Sequence, residues 1–143
     1  MMKYFSAKEI LNAGSSPELL TDELKQVLDY FAGLMKLNFG AKVYVILLKN
    51  GLTSGQHASP EHREGKAVDF VITNKTGKSI RAYQVTQMMS YAGFRACGAY
   101  YNGVAWSFHG DVGDRFRQWF WDKREKNNIK KLSLYNNFLT GSV

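Results

Sequence analysis

The 143-residue chain has a single cysteine, Cys97, which excludes an internal disulfide and a cysteine-based zinc cluster. No apolar run reaches the length needed to cross a bilayer, so no transmembrane segment is expected. The opening stretch, MMKYFSAKEI, lacks the charged-then-apolar pattern of a secretory signal. The expectation is a protein made in the cytoplasm without a signal peptide and delivered by other means if it acts outside. Neither an internal repeat nor a low-complexity linker divides the chain. GLTSG, at 51–55, has neither the spacing nor the lysine of a phosphate-binding P-loop. Acidic residues are scarce, 12 against 19 lysines and arginines, which leaves a net charge of +7. That balance suits either solubility or association with a polyanion such as nucleic acid, anionic lipid or an anionic wall polymer. Charge alone supports no specific nucleic-acid partner, and a nucleic-acid-binding domain would show salt-sensitive binding.

The length is that of one domain with a core of its own, here 1–143, with a core region at about 4–121 and a basic tail at about 122–143. FSAKEILNAG reads as a short helix, with Ser6 as N-cap and Glu9 three residues on. Residues 16–40 read as the main helix, with Leu20, Leu24, Val27, Leu28, Phe31, Leu34 and Met35 at helical spacing. Pro17 suits its first turn and Gly40 its end. KVYVILLKN reads as a buried strand, 51–65 as a loop and KAVDFVIT as a second strand. NKTGK is a turn, and SIRAYQVTQMMSYAG a helix ending at Gly93. Residues 96–113 read as a hairpin around Asn102-Gly103. DRFRQWFWDKREK reads as a last helix, and the end of the chain is ambiguous. Strands without regular alternation with helices imply an α+β fold with a small, mainly antiparallel sheet and flanking helices.

Histidine is also scarce: His57, His62 and His109 are the whole supply. His62 and Asp69 bracket HREGKAVD, across a change from loop to strand. Seven extended residues would part them by about 20 Å, too far to share one metal ion. The loop must therefore fold back, which Gly65 permits, and Ala67 and Asp69 share one strand face. A catalytic zinc takes three protein ligands and keeps one position open. A neighbouring strand could supply the third, and His109 is the free choice if His57 is not a ligand. The competing reading is an ordinary polar loop.

HREGKAVD is similar to the His-x-x-Gly-x-Ala-x-Asp signature of the zinc peptidases that cut peptidoglycan stem peptides. These are the D-alanyl-D-alanine carboxypeptidases and L-alanyl-D-glutamate endopeptidases of the hedgehog/DD-peptidase fold. VYVILLKNGLTSGQH resembles the family's strand and following turn, and FHGDVGDRFRQW its last-ligand segment. YFSAKEIL and the long helix resemble the family's lead-in, so the likeness runs over about 4–121. The resemblance implies a Zn2+ ion held by His62, Asp69 and His109, which would bring the pKa of its water to about 7 and polarise the scissile carbonyl. It also implies that Asp111 orients a ligand.

The sequence departs from the family at several positions. His57 stands where the family has a carboxylate-binding arginine, so a protonated His57 is the expected helper for a substrate carboxylate or oxyanion. Pro60 replaces a frequent serine. Trp106 and Ser107 occupy the positions of the usual general base, which leaves Glu61, Glu64 and Asp111 as alternatives. Trp106 should face the core, while Trp119 and Trp121 are either cleft or core residues, and Cys97 reads as a small buried residue. The resemblance implies hydrolysis of the peptidoglycan stem peptide, by a monomer or a virion-associated protein. A phage lysis enzyme (an endolysin) or a bacteriophage component that opens the wall fits a chain without a leader. The alternative is a non-catalytic peptidase-like module in a virion or other assembly.

Overall fold

The structure is a computed structural model, and it describes residues 2–127 and 131–143. Helix α1 (Ala7–Asn12) opens with a complete capping box: Ser6 Oγ accepts from the Glu9 amide and the Glu9 carboxylate accepts from the Ser6 amide. The expected main helix is shorter at its start. Pro17–Leu19 form a separate 3-10 turn, and helix α2 (Asp22–Phe39) begins at Thr21, whose hydroxyl accepts from the Leu24 amide. Ser16, before Pro17, makes no side-chain cap bond, whereas Thr21 does, and Asp22 and Glu23 then sit at the positive end of the helix. Leu20 is buried just ahead of the helix rather than on its face.

Strands β1 (Val43–Leu47), β2 (Ala67–Asn74), β3 (Ala96–Tyr101), β4 (Trp106–Asp111) and β5 (Arg117–Asp122) form one sheet in the order β1-β2-β4-β3-β5. Helix α3 (Ala82–Ala92) ends at Gly93, in the left-handed region at φ 115°, and helix α4 (Lys131–Thr140) lies near the C-terminus. Three of the pairings are antiparallel and the β3–β5 pairing is parallel. The α+β class and the hairpin around Asn102-Gly103 are as expected from the sequence.

DRFRQWFWDKREK is not a helix: it contains β5 and a 3-10 turn, Lys123–Asn127. Its three consecutive aromatic residues, Trp119 to Trp121, suit a strand, and pairing along β3 satisfies a backbone that would otherwise need a helix's own hydrogen bonds. Residues 128–130 of the basic tail lie outside the described ones.

Register and the strand's period of two sort the sheet into two faces. Val43, Val45, Val68, Phe70, Ile72, Ala99 and Phe108 face α2 and α3 in the core. Phe31 of α2 meets Phe70 at 5.2 Å between ring centres, and Phe70 stacks on Phe108 at 5.6 Å. Trp106 is buried, as expected. The opposite face carries Asp69, His109, Gly98 and Trp119, which stand side by side across β2, β4, β3 and β5. No helix of the described residues is long and apolar enough to cross a membrane.

Candidate metal centre

The loop between β1 and β2 covers one end of the sheet's second face. Leu48 donates its amide to the Asp69 carbonyl at 3.0 Å, and Asp69 donates to the Gly51 carbonyl at 2.8 Å, so the loop is tied to the strand that carries Asp69. Leu52 is fully buried and anchors the next turn. Residues 60–65 make a short helical turn, with Glu64 N donating to Pro60 O, Gly65 N to His62 O and Lys66 N to Glu61 O. Gly65 ends it at φ 71°, and its carbonyl accepts from Thr21 N at 3.0 Å. A side chain on Gly65 would run into the Leu19 carbonyl oxygen. The fold-back that brings His62 to Asp69 therefore rests on a backbone that favours glycine.

All three histidines and Asp69 come together. His62 Nε2 lies 3.4 Å from Asp69 Oδ1 and 3.3 Å from His109 Nδ1, and His109 Nδ1 lies 3.0 Å from Asp69 Oδ1. His57, His62 and Asp69 offer ligand atoms that all lie within 4.8 Å of one another, with His57 Nδ1 at 3.8 Å from Asp69 Oδ2. Two His/His/Asp triads thus share His62 and Asp69, and such a cluster can hold a metal ion.

Each histidine is fixed by its other nitrogen. His62 Nδ1 donates to the Leu52 carbonyl at 2.8 Å, and His57 Nε2 donates to the carbonyls of Asn50 and Ser54 at 2.9 and 2.8 Å. Because a carbonyl only accepts, these contacts fix the tautomers and leave His62 Nε2 and His57 Nδ1 as the free nitrogens of the neutral rings. His109 Nε2 lies 2.8 Å from Asp111 Oδ2, and Asp111 Oδ1 accepts from the Gly113 amide at 3.0 Å.

Burial alone would raise the Asp69 carboxyl. The hydrogen bonds and charges of His109 and His62 outweigh burial and hold it far below the usual carboxylate range. Burial alone would lower His109, but hydrogen bonds to Asp111 and Asp69 push it up to about 9. Cys97 is buried, and burial first, then the Asp111 charge, pushes its thiol up to about 12. A thiol so far from ionisation is a poor nucleophile.

The cluster opens into a cleft of about 480 Å³. His57 and Glu61 lie on its loop side, and Tyr100, Arg115, Arg117 and Trp119 on the β3–β5 side. Trp119 is therefore a cleft residue. Reading β5 as a helix hid Arg117 and Tyr100 as its neighbours; the aromatic run Trp119 to Trp121, of strand-favouring residues, was the available signal. Glu61 Oε2 is buried without a hydrogen-bond partner among the described residues. No family model matches the sequence, and no curated protein is significantly similar to it.

Proposed function

We propose that this protein is a zinc-dependent peptidase that hydrolyses a bond in the peptidoglycan stem peptide, with His62, Asp69 and His109 as the metal ligands. One observation carries the metal half of this reading. The three ligand atoms form a triangle with sides of 3.0, 3.3 and 3.4 Å. Zinc bonds of about 2.0–2.1 Å at tetrahedral angles require ligand atoms about 3.3–3.4 Å apart, so the triangle matches one face of a zinc tetrahedron. Two imidazoles and one carboxylate also suit zinc chemically. The ring planes of His62 and His109 differ by 61°, which lets both in-plane lone pairs meet at one point. His57 and His62 are stacked at 3.5 Å and 14°, so an ion between them would lie out of both ring planes. That favours His109 over His57 as third ligand. The peptidoglycan half rests on the resemblance of HREGKAVD and FHGDVGDRFRQW to the wall peptidases.

When bound, the ion supplies Lewis acidity toward a carbonyl and acidifies water. The protein's own groups do the rest. Asp111 is held by His109 on one oxygen and by the Gly113 amide on the other, which suits it to orient His109. Glu61 lines the cleft and has one buried carboxylate oxygen without a hydrogen-bond partner among the described residues, which makes it the candidate to accept a proton. His57 Nδ1 faces Asp69 at the cleft wall, where it can donate to a developing oxyanion once protonated.

Elemental analysis and wall digestion test the proposal together. The expected result is about one zinc per chain, lost in His62→Ala and His109→Ala, with chelator-sensitive release of peptides from peptidoglycan. Protein that takes up no zinc overturns the metal assignment. Zinc-loaded protein that leaves peptidoglycan intact overturns the hydrolase and leaves the assembly-module reading, which the buried Trp106 at the family's usual base position favours.

A further inference from the structure

The cleft wall opposite His57 is built from β5, and its chemistry differs from the rest of the site. Trp119 stands beside Gly98 in the register, and Gly98 beside His109. A β-carbon on Gly98 would come within 2.4 Å of the Trp119 ring, so only glycine lets the indole lie over β3 toward His109. The ring reaches 5.6 Å from the His109 ring centre, and its Nε1 donates to Tyr100 Oη at 2.8 Å, which fixes its plane. The Arg117 guanidinium lies on that plane, 4.8 Å from the ring centre. One row over, Asp111, Ala96 and Arg117 are side by side, and the small Ala96 leaves the floor between the arginine and the metal cluster open. Arg115 lines the same cleft. Among the described residues, neither arginine is ion-paired with an acid. A stacked guanidinium with free N–H edges is preorganised to grip a carboxylate with two hydrogen bonds.

We infer that Arg117, laid on Trp119 beside His109 and assisted by Arg115, is the carboxylate-binding wall of the cleft, so that the site takes a peptide with a free carboxylate close to the bond presented to His62, Asp69 and His109. This rests on the peptidase reading above. It assigns substrate recognition to β5, on the side of the cleft opposite His57. Arg117 acts as a specificity residue, and Gly98, Trp119 and Tyr100 position it.

Calorimetric binding to chelated, full-length protein tests it without catalysis. The probe is a stem peptide ending in D-alanyl-D-alanine, as the free acid and with its carboxyls amidated. The free acid should bind roughly tenfold more tightly than the amide, and Arg117→Ala should erase that difference while Arg117→Lys keeps part of it. Arg117 is exposed, so its loss leaves the fold in place, which a circular dichroism melt checks. Equal binding of both forms by the wild type, no binding of either, or an intact preference in Arg117→Ala each overturn the inference. A free-acid preference in a protein that digests no wall after zinc loading would sink the hydrolase and leave the carboxylate site standing.

Discussion

His109 Nε2 and Asp111 Oδ2 are 2.8 Å apart, two residues apart on one strand, with both side chains on the cleft face of the sheet. A strand's period of two is what puts them there. Asp111 fixes the ring of His109 so that Nδ1 points at Asp69, the arrangement a metal-ligating histidine uses. Asp111→Asn keeps the size of the side chain and removes its charge. It should weaken zinc binding by roughly 10- to 100-fold with little loss of fold, read by competition against a chromophoric chelator. Unchanged affinity would show that His109 needs no such orientation.

The same contacts set the pH dependence of the metal-free protein. His109 is raised from 6.5 to about 9 in the folded state. Its contribution to stability is therefore fully present below about pH 6.5 and is lost as pH rises through about 9. Asp69 is depressed below 3.8, so its contribution is present above that value and is lost as pH falls below it. Chelated protein should melt at its highest temperature between about pH 4 and 6.5 and decline toward pH 9. His109→Ala should flatten the alkaline decline. A melting temperature that climbs from pH 6.5 to 9 in chelated wild type would contradict the charged His109–Asp69–Asp111 arrangement.

Zinc should reverse that alkaline trend. A ligand nitrogen must be free of its proton, yet His109 Nδ1 carries one near neutral pH in the metal-free protein. Binding at pH 7 should therefore release about one proton from this residue. Calorimetry in buffers of different ionisation enthalpy measures the release directly. Affinity should rise with pH up to about 9. If binding releases no proton, His109 is not a ligand and the triad with His57 takes its place.

How much of this was legible in the sequence depends on which interactions decide each element. Local signals were enough for α1, where Ser6 and Glu9 cap within three residues, and for the hairpin, where Asn102-Gly103 supplies a turn. Val43 to Leu47 and Ala67 to Asn74 read as strands from composition, and Gly65 could be read as the residue that turns the loop back. The start of α2 was misplaced because Pro17 gave a stronger local signal than Thr21, although the threonine makes the cap. The β5 strand was missed because its partner β3 is distant in sequence and parallel, while charged residues on both sides imitate a helix. The resemblance of HREGKAVD and FHGDVGDRFRQW to the wall peptidases singled out His62, Asp69 and His109 as ligand candidates. It was silent on the stacking of His57 on His62, which depends on two carbonyls of a loop, Asn50 and Ser54.

Two glycines separate the cost of a left-handed backbone from the cost of lost space. Gly65 has φ 71° and Gly77 has φ 76°, so alanine carries a similar conformational penalty at either, about 1 kcal/mol. Around Gly77 a β-carbon would meet nothing within 4 Å. At Gly65 it would lie 2.0 Å from the Leu19 carbonyl oxygen, a backbone atom that cannot swing away. Gly77→Ala should therefore cost about 1 kcal/mol in a urea melt and leave zinc binding unchanged. Gly65→Ala should cost about 2–4 kcal/mol, because the 60–65 turn must shift as well. That shift moves His62, so zinc affinity should fall along with stability. Equal losses in the two variants would mean that the turn can move off Leu19 freely and that Gly65 is needed only for its backbone angle. A Gly65→Ala protein that melts early yet binds zinc at full strength would separate the turn from the metal centre altogether.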